Sequence, residues 1–122
     1  FSCGNVLHVH DLVDHVSDEA AKVGQYAASF LRGEIKTPET YIEIKPGKGV
    51  GYVLPQRVSG DRDFVLSLRV SEPCRDKAVM IRDGVKRVKR KKMLRLHPAE
   101  MIRIPVKADK LADTGSLEVC VE

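Results

Sequence analysis

The sequence predicts a mainly β fold: an antiparallel, immunoglobulin-like β-sandwich preceded by one α-helix. Three observations predict it. Short apolar or alternating segments recur after residue 40 at intervals of roughly 8–12 residues, as in sandwich proteins. Turn-forming residues separate these segments, and one long stretch of helical periodicity lies before Gly33. With 122 residues, 43% of them hydrophobic, the chain can form one compact domain with an appendage.

The helix is predicted over residues 16–31. Ser17 is expected to cap its start, with Asp18 and Glu19 in the first turn, where the helix dipole favours negative charge. Gly33 stands where a left-handed residue commonly ends a helix. Gly24, among several alanines, indicates the close approach of a second backbone. The predicted apolar face consists of Ala20, Val23, Ala27, Phe30 and Leu31.

The strands are predicted from alternating apolar residues and from the turns between them. The segment Phe64–Val70 is the clearest, because every second residue is apolar and would face a core. The Asp83-Gly84 pair predicts a hairpin, and residues 46–49 predict a turn and not a phosphate-binding loop. Further strands are predicted at residues 41–44, 51–54, 78–82, 85–92, 93–96, 101–106 and 117–121.

The pattern changes once, near Gly33, from helical spacing to short strands. We therefore divide the chain into residues 1–33, with a short strand and the helix, a linker at residues 34–40, and an all-β domain at residues 41–122. Because the sequence starts with Phe1 and not with Met, we expect it to belong to a longer protein.

Composition argues against several classes of protein. No apolar run approaches the roughly 18–20 residues that span a bilayer, and no signal-peptide pattern is visible, so no membrane span is expected. The three cysteines, Cys3, Cys74 and Cys120, are scattered and form no Cys-x-x-Cys pair. We interpret them as reduced, mostly buried thiols of a cytoplasmic protein.

The opening segment, Phe1-Ser2-Cys3-Gly4-Asn5, carries the most informative pattern. Its small and apolar residues end at Gly4-Asn5, and an irregular connection then leads to the helix. This is typical of the end of a strand, a glycine that lets a ligand approach closely, and a loop that feeds the positive end of a helix dipole. The arrangement favours a phosphate group or an electron-rich ring.

These residues resemble the second flavin-binding motif of the FAD-dependent pyridine nucleotide-disulfide oxidoreductases. In that family a strand ends in Ala-x-Gly-Asp, and the next helix points its N-terminus at the pyrimidine edge of the isoalloxazine ring. Residues 4–14 are similar to the version in smaller flavin oxidoreductases found beside anaerobic glycerol-3-phosphate dehydrogenases. The resemblance covers residues 1–33, and more loosely the sequences at residues 49–56 and 97–101.

The resemblance implies that the chain is the C-terminal part of an FAD- and NAD(P)-dependent oxidoreductase. Gly4 and Asn5 would contact the ribityl chain, and Asp14, His15 and Val16 would lie near the flavin at the entrance to the helix. Asn5 stands where the family commonly has Asp, so it can bond to a hydroxyl but brings no charge. The Gly-x-Gly-x-x-Gly loops for FAD and NAD(P) are absent from this sequence. The chain alone is therefore expected neither to hold FAD nor to transfer hydride, and no residue is assigned a catalytic role.

The same resemblance implies that the β domain is an accessory or docking module. Its expected partners are the remainder of the oxidoreductase and other redox subunits. A helix without its parent sheet is expected to pack on the sandwich or on a second copy of the chain, which would give a homo-oligomer. The alternative is a stand-alone β-sandwich binding module with a His-rich site for a metal or a protein partner.

A metal site is the second interpretation of the opening segment. His8 and His10 are two residues apart, so in an extended backbone their imidazoles point to the same side. Apart from the single histidine His97, however, no distant residue suggests itself as the fourth ligand that a metal site would need. We therefore assign no metal ion and interpret the histidines as lining a loop near the flavin. The other ionisable residues of the segment are Asp11, Asp14 and His15.

A basic run extends from Lys86 to Lys92, in a chain of net charge +4. Clustered cations can bind a nucleic-acid backbone, but aromatic residues make up only 5% of the sequence and none interleaves with the run to stack on bases. We therefore interpret the run as a charged edge strand that resists association with other sheets. An acidic partner surface is the second interpretation, and no nucleic-acid partner is expected.

Overall fold

The computed structural model describes all 122 residues, which form two compact units, Phe1–Glu39 and Thr40–Glu122. The predicted mainly β fold with one helix is confirmed. The first unit holds a 3₁₀ turn, Gly4–Val6, and helix α1, Val13–Leu31. The second unit holds β1 (Ile42–Pro46), β2 (Val50–Leu54), β3 (Arg57–Val58), β4 (Phe64–Val70), β5 (Cys74–Asp83), β6 (Lys86–Leu96), β7 (Ile102–Val106), a 3₁₀ turn (Ala108–Lys110) and β8 (Ser116–Val121).

Helix α1 begins earlier than predicted, at Val13 and not at Val16. Leu12 precedes it with an extended backbone and provides no side-chain cap, and Asp14 is the acidic residue of the first turn. The predicted cap at Ser17 is therefore wrong. No glycine or proline lies between Leu12 and Ser17, so nothing in the backbone prevents the helix from extending towards the N-terminus.

The helix ends as predicted, at a left-handed glycine. Gly33 has a φ of 72°. Its N–H donates to the Phe30 carbonyl at 3.0 Å, and the N–H of Glu34 donates to the Ser29 carbonyl at 3.0 Å. This pair of bonds is the Schellman arrangement, which satisfies carbonyls that the end of a helix leaves without partners. Glycine adopts the positive φ without the steric cost that a Cβ brings.

The first unit has no apolar core, because no residue of α1 is buried. Val23 and Ala27 are half-buried, but Ala20, Phe30 and Leu31 are exposed, so this part of the predicted apolar face is wrong. Within the unit the helix meets only the short opening segment. That segment is too small to cover the wide apolar stripe that a globular protein normally packs against its core.

The strand predicted at the start of the chain is also wrong. Cys3 has an extended backbone, with φ −155° and ψ 171°, but Gly4–Val6 turns immediately afterwards. An extended segment needs hydrogen bonds from a neighbouring strand, and the first unit contains none. Phe1 instead lies against α1, where its ring centroid is 5.8 Å from that of Phe30. No atom lies within 4 Å of the position that a Cβ on Gly24 would take, so the predicted close backbone neighbour is absent from this chain.

The strands of the second unit form two sheets. One contains five strands in the order β3-β1-β8-β5-β6, and the other contains three in the order β2-β4-β7. Every pair is antiparallel except β1 with β8, in which Ile44 lies opposite Leu117 in a parallel register. The prediction of an entirely antiparallel arrangement is therefore wrong for this pair. Apolar alternation specifies which face of a strand is buried but not the direction of its neighbour.

Both sheets contribute to one apolar core. Strand β4 alternates as predicted, and its Leu66 and Leu68 are both 0% exposed. Burying a leucine side chain contributes roughly 1.5–3 kcal/mol, so these positions are central to the stability of the unit. A smaller cluster of Ala78, Met80 and Cys120 alternates along β5 and β8 with residues of the main core.

Strands β5 and β6 form the predicted hairpin, with Asp83 opposite Lys86. The separate strand predicted at residues 93–96 is wrong, because β6 runs without interruption to Leu96. Met93 pairs with Lys77 and continues the ladder of β6 with β5. The short strand β3 is not predicted by any pattern in the sequence. The turn predicted at residues 46–49 is confirmed by a hydrogen bond from the Val50 N–H to the Gly47 carbonyl at 3.2 Å.

Candidate functional site

Two histidines and one glutamate of the first unit form a compact cluster. Nε2 of His8 lies 3.2 Å from Oε1 of Glu19, and Nε2 of His10 lies 3.2 Å from Oε2 of the same carboxylate. The centroids of the two imidazole rings are 4.3 Å apart. One possible ligand atom from each of the three residues lies within 4.8 Å of the other two. The carboxylate of Glu19 therefore faces both imidazoles.

The turn at the start of the chain positions this cluster. The Gly4 N–H donates to Oε2 of Glu19 at 2.7 Å, so the backbone of the turn is tied to the second turn of α1. The Gly4 carbonyl accepts hydrogen bonds from the N–H groups of Leu7 and His8. Gly4 has a φ of 68°, in the left-handed region that favours glycine. His8 and His10 then face one carboxylate, as their spacing of two residues predicts for an extended backbone.

Both imidazoles are withdrawn from solvent. The side chains of His8 and His10 are 4% and 6% exposed, and that of Glu19 is 21% exposed. His8 is the one buried residue of the chain with a polar side chain. Nε2 of His10 is close to Glu19, but the contact lacks hydrogen-bond geometry, and neither ring nitrogen of His10 has a protein hydrogen-bond partner. Such a buried polar group is costly unless something else satisfies it.

The carboxylate of Glu19 is held in its charged form. Partial burial acts to raise its pKa, because a charged group loses hydration there. The Gly4 N–H and the two imidazoles act in the opposite direction and outweigh burial, so the pKa of Glu19 lies below its ordinary value. A deprotonated carboxylate between two imidazoles is a donor set that suits a divalent transition metal.

The residues that the flavin resemblance singles out lie at two places. Gly4 is half-buried and next to Glu19, and Asn5 is exposed in the 3₁₀ turn. Asp14, His15 and Val16 all lie in the first turn of α1, where Asp14 is exposed and the other two are half-buried. The hydrogen bond from the Gly4 N–H to Glu19 thus holds Gly4 beside helix α1.

The sequence interpretation missed Glu19, which it assigned to the helix dipole. A signal was available, since His15 and Glu19 are four residues apart and lie on one face of α1. The ring of His15 is 6.3 Å from that of His10. Neither Asp11 nor Asp14, the two carboxylates of the opening segment, belongs to the cluster. His97 does not belong to it either, and the Ala99 N–H donates to its Nδ1 at 3.2 Å.

The basic run lies on β6, an outer strand of the five-stranded sheet, as predicted. Two of its side chains reach the outer strand of the other sheet, β7. Lys89 Nζ donates to the Pro105 carbonyl, and Lys91 Nζ donates to the Arg103 carbonyl at 3.3 Å. These lysines occupy carbonyls that an added strand would need, which is the role expected of charges at a sheet edge.

Comparison of the chain with protein-family models, with curated proteins and with solved structures finds no match. Helix α1 lacks the length and apolar character needed to cross a membrane, and no other α-helix is present.

Proposed function

We propose that the chain is the C-terminal part of an FAD- and NAD(P)-dependent oxidoreductase. In this proposal Phe1–Glu39 completes the flavin-binding domain, and Thr40–Glu122 is an accessory or docking domain without catalytic residues. The observation that carries the proposal is the Gly4-Asn5 turn followed by a helix, which resembles the second flavin motif, with Asn5 in the place of Asp and without the preceding strand.

The geometry of the turn is suitable for contact with a ribityl chain. No atom lies within 4 Å of the position that a Cβ on Gly4 would occupy, so a ligand has room to approach the backbone. Asn5 is exposed, and its amide can donate to one hydroxyl and accept from another. These two features are what the resemblance requires of Gly4 and Asn5.

The start of α1 is suitable for the pyrimidine edge of the flavin. Leu12 offers no side-chain acceptor, so no side chain caps the first turn of the helix. Backbone N–H groups at this end can donate to the carbonyl oxygens of the ring, and the dipole favours the negative charge of a reduced flavin. Asp14, His15 and Val16 occupy this turn.

Apolar side chains of the first unit also support a larger parent domain. Val13 is 76% exposed and Leu31 is 85% exposed, although both belong to a helix that ought to bury one face. Val6, at the end of the 3₁₀ turn, is 86% exposed. We propose that the remaining oxidoreductase covers these side chains, and that a second copy of the chain covers them when the parent domain is missing.

The second unit is proposed to be an immunoglobulin-like sandwich that docks to the rest of a cytoplasmic enzyme or to other redox subunits. Two sheets that share one core support the sandwich. Other basic side chains on β6, including Arg87 and Arg90, are exposed and suit an acidic partner surface.

The reading frame upstream of Phe1 tests the proposal first. We expect it to encode two dinucleotide-binding Gly-rich loops. The longer protein should then purify with bound FAD, visible in its absorption spectrum, and should oxidise NADH or NADPH with an electron acceptor. A stop codon or a secretion signal directly upstream of Phe1 would contradict the proposal, as would a longer protein without flavin.

Variants of the longer protein test the assigned contact. Asn5→Ala should weaken FAD binding by about 3- to 10-fold, which corresponds to one hydrogen bond of roughly 0.5–1.5 kcal/mol. Asn5→Asp, which introduces the residue common in the family, should retain FAD. Gln56→Ala removes another exposed amide, in the β unit, and should leave FAD binding unchanged. Equal FAD affinity in all three variants would remove Asn5 from the site.

A further inference from the structure

We infer that His8, His10 and Glu19 form a binding site for a divalent transition metal of the zinc, cobalt and nickel class. The inference does not rest on the flavin proposal, because none of the five residues assigned to the flavin is a metal ligand and the site lies entirely within Phe1–Glu39. It would bind its metal in the 122-residue chain alone.

The distances between the ligand atoms carry the first part of the argument. Zinc binds imidazole nitrogen at about 2.0–2.1 Å and carboxylate oxygen at about 2.0–2.2 Å, so two ligands of a tetrahedral ion lie about 3.3 Å apart. Each Nε2 of His8 and His10 lies 3.2 Å from an oxygen of Glu19. The two distances end on different oxygens of Glu19, but one ligand atom from each of the three residues lies within 4.8 Å of the other two, so the three side chains are close enough together to hold a single ion.

The burial of His10 carries the second part. Its side chain is 6% exposed, and neither of its ring nitrogens has a protein hydrogen-bond partner. A histidine that served only as packing would leave Nδ1 without a partner, at a cost of about 1–3 kcal/mol, and Nε2 with only a poorly aligned contact to Glu19. A metal bond to Nε2 satisfies one of them and explains why an imidazole, and not an apolar side chain, lies there.

The donor set selects the class of metal. Two imidazoles and one carboxylate favour zinc, cobalt, nickel or copper over calcium and magnesium, which prefer sites made of oxygen alone. Three protein ligands leave at least one position of a tetrahedral ion open to water or to an external ligand. A bound ion would also connect the opening segment to α1, in a unit that has no apolar core to do so.

Titration of the purified, reduced chain with Co²⁺ tests the inference. We expect one ion per chain and visible absorption bands of the intensity typical of four or five ligands, which Zn²⁺ should abolish by competition. His8→Ala, His10→Ala and Glu19→Gln should each weaken binding by at least about 100-fold. Loss of a residue that only orients a metal ligand costs 10–100-fold, so loss of the ligand itself should cost as much or more.

His97→Ala is the matched control, because it removes a histidine that lies outside the cluster. It should leave the affinity and the spectrum unchanged. Absence of binding by the unmutated chain, full affinity in Glu19→Gln, or an equal loss in His97→Ala would each overturn the site.

Misfolding of a variant is controlled by a measurement on the unmutated chain. In the NMR spectrum, Co²⁺ should shift the ring protons of His8 and His10 strongly. The helical circular dichroism signal of Glu19→Gln should match that of the unmutated chain, since this change keeps the size of the side chain. Rings of His8 and His10 that do not respond to bound cobalt would overturn the site whatever the variants show.

Discussion

Each of the two units of this chain is stabilised internally by a different kind of contact. Thr40–Glu122 contains every buried apolar residue of the protein, among them Leu66 and Val119, which are both 0% exposed. Phe1–Glu39 contains one buried residue, His8, and its tertiary contacts include polar bonds to Glu19 and a pair of phenylalanine rings. A regular helix with a well-formed C-terminal cap is therefore not evidence of a self-sufficient unit.

The difference has a physical origin. Ordering the backbone of a residue costs about 1–2 kcal/mol, and apolar burial is the main term that offsets this cost. The β unit offsets it with a core drawn from both sheets. The first unit has no apolar core, so we expect it to become rigid only with a cofactor, a metal or a partner. A flavin in the longer protein, or a metal ion at His8, His10 and Glu19, would each supply such contacts.

The largest expected effect is the loss of stability when a buried leucine of the β unit is changed to alanine, compared with the same change at an exposed leucine of α1. Leu66→Ala should lower the free energy of unfolding by about 2–5 kcal/mol, because it leaves a cavity in the core. Leu31→Ala, at a position 85% exposed, should change it by less than about 0.5 kcal/mol. Urea denaturation followed by circular dichroism measures both. Similar losses of unfolding free energy in the two variants would show that α1 is covered in solution and that the two units do not differ in this way.

Two glycine changes, one within α1 and one at its C-terminal end, test how the helix itself is stabilised. Gly24→Ala should stabilise the helix by about 1 kcal/mol, since a Cβ there meets no atom. Gly33→Ala should destabilise its C-terminus by about 1–2 kcal/mol, because a Cβ is unfavourable at a φ of 72°. Hydrogen exchange of the helix amides measures both. In the longer oxidoreductase, Gly24→Ala should lower the stability of α1 if a parent strand packs on this glycine. A gain in helix stability in both proteins would exclude such a neighbour.

The smallest effect concerns the thiols. Burial raises the pKa of Cys120, while Cys3 and Cys74 are only partly buried. Because the thiolate is the form that reacts, a raised pKa leaves less of it at a given pH, and the reaction of Cys120 should accelerate only at more alkaline pH. Labelling of the folded chain with a thiol reagent near pH 8 should therefore modify two thiols quickly and the third slowly. Cys120→Ser should remove the slow phase alone, and loss of a fast phase instead would show that Cys120 is accessible.

Local signals in the sequence predicted local structure well. The alternation in β4, the hairpin at Asp83 and the helix end at Gly33 were all predicted, because each depends on residues that are neighbours in the chain. The parallel pairing of β1 with β8 was not, since it joins Glu43 to Ser116 across most of the unit. Only the folded unit determines which strand edges meet.

The candidate metal site was predicted in part for the same reason. His8 and His10 drew attention as a local pair, and their shared orientation followed from their spacing. Glu19 was assigned to the helix dipole, because its approach to His8 depends on how the opening turn folds back on α1. The early start of α1 added to the error, since it moved Glu19 from the first turn to the second.

The position of β8 has a consequence for the synthesis of the protein. This strand lies between β1 and β5 in the middle of the five-stranded sheet, and it is synthesised after the other seven strands of the β unit. Until residues 116–121 emerge, the sheet exists as two separate pieces, β3-β1 and β5-β6, each with a bare inner edge. At roughly 5–20 residues per second, translation holds the β unit in this state for seconds, during which nascent-chain chaperones have a specific edge to bind.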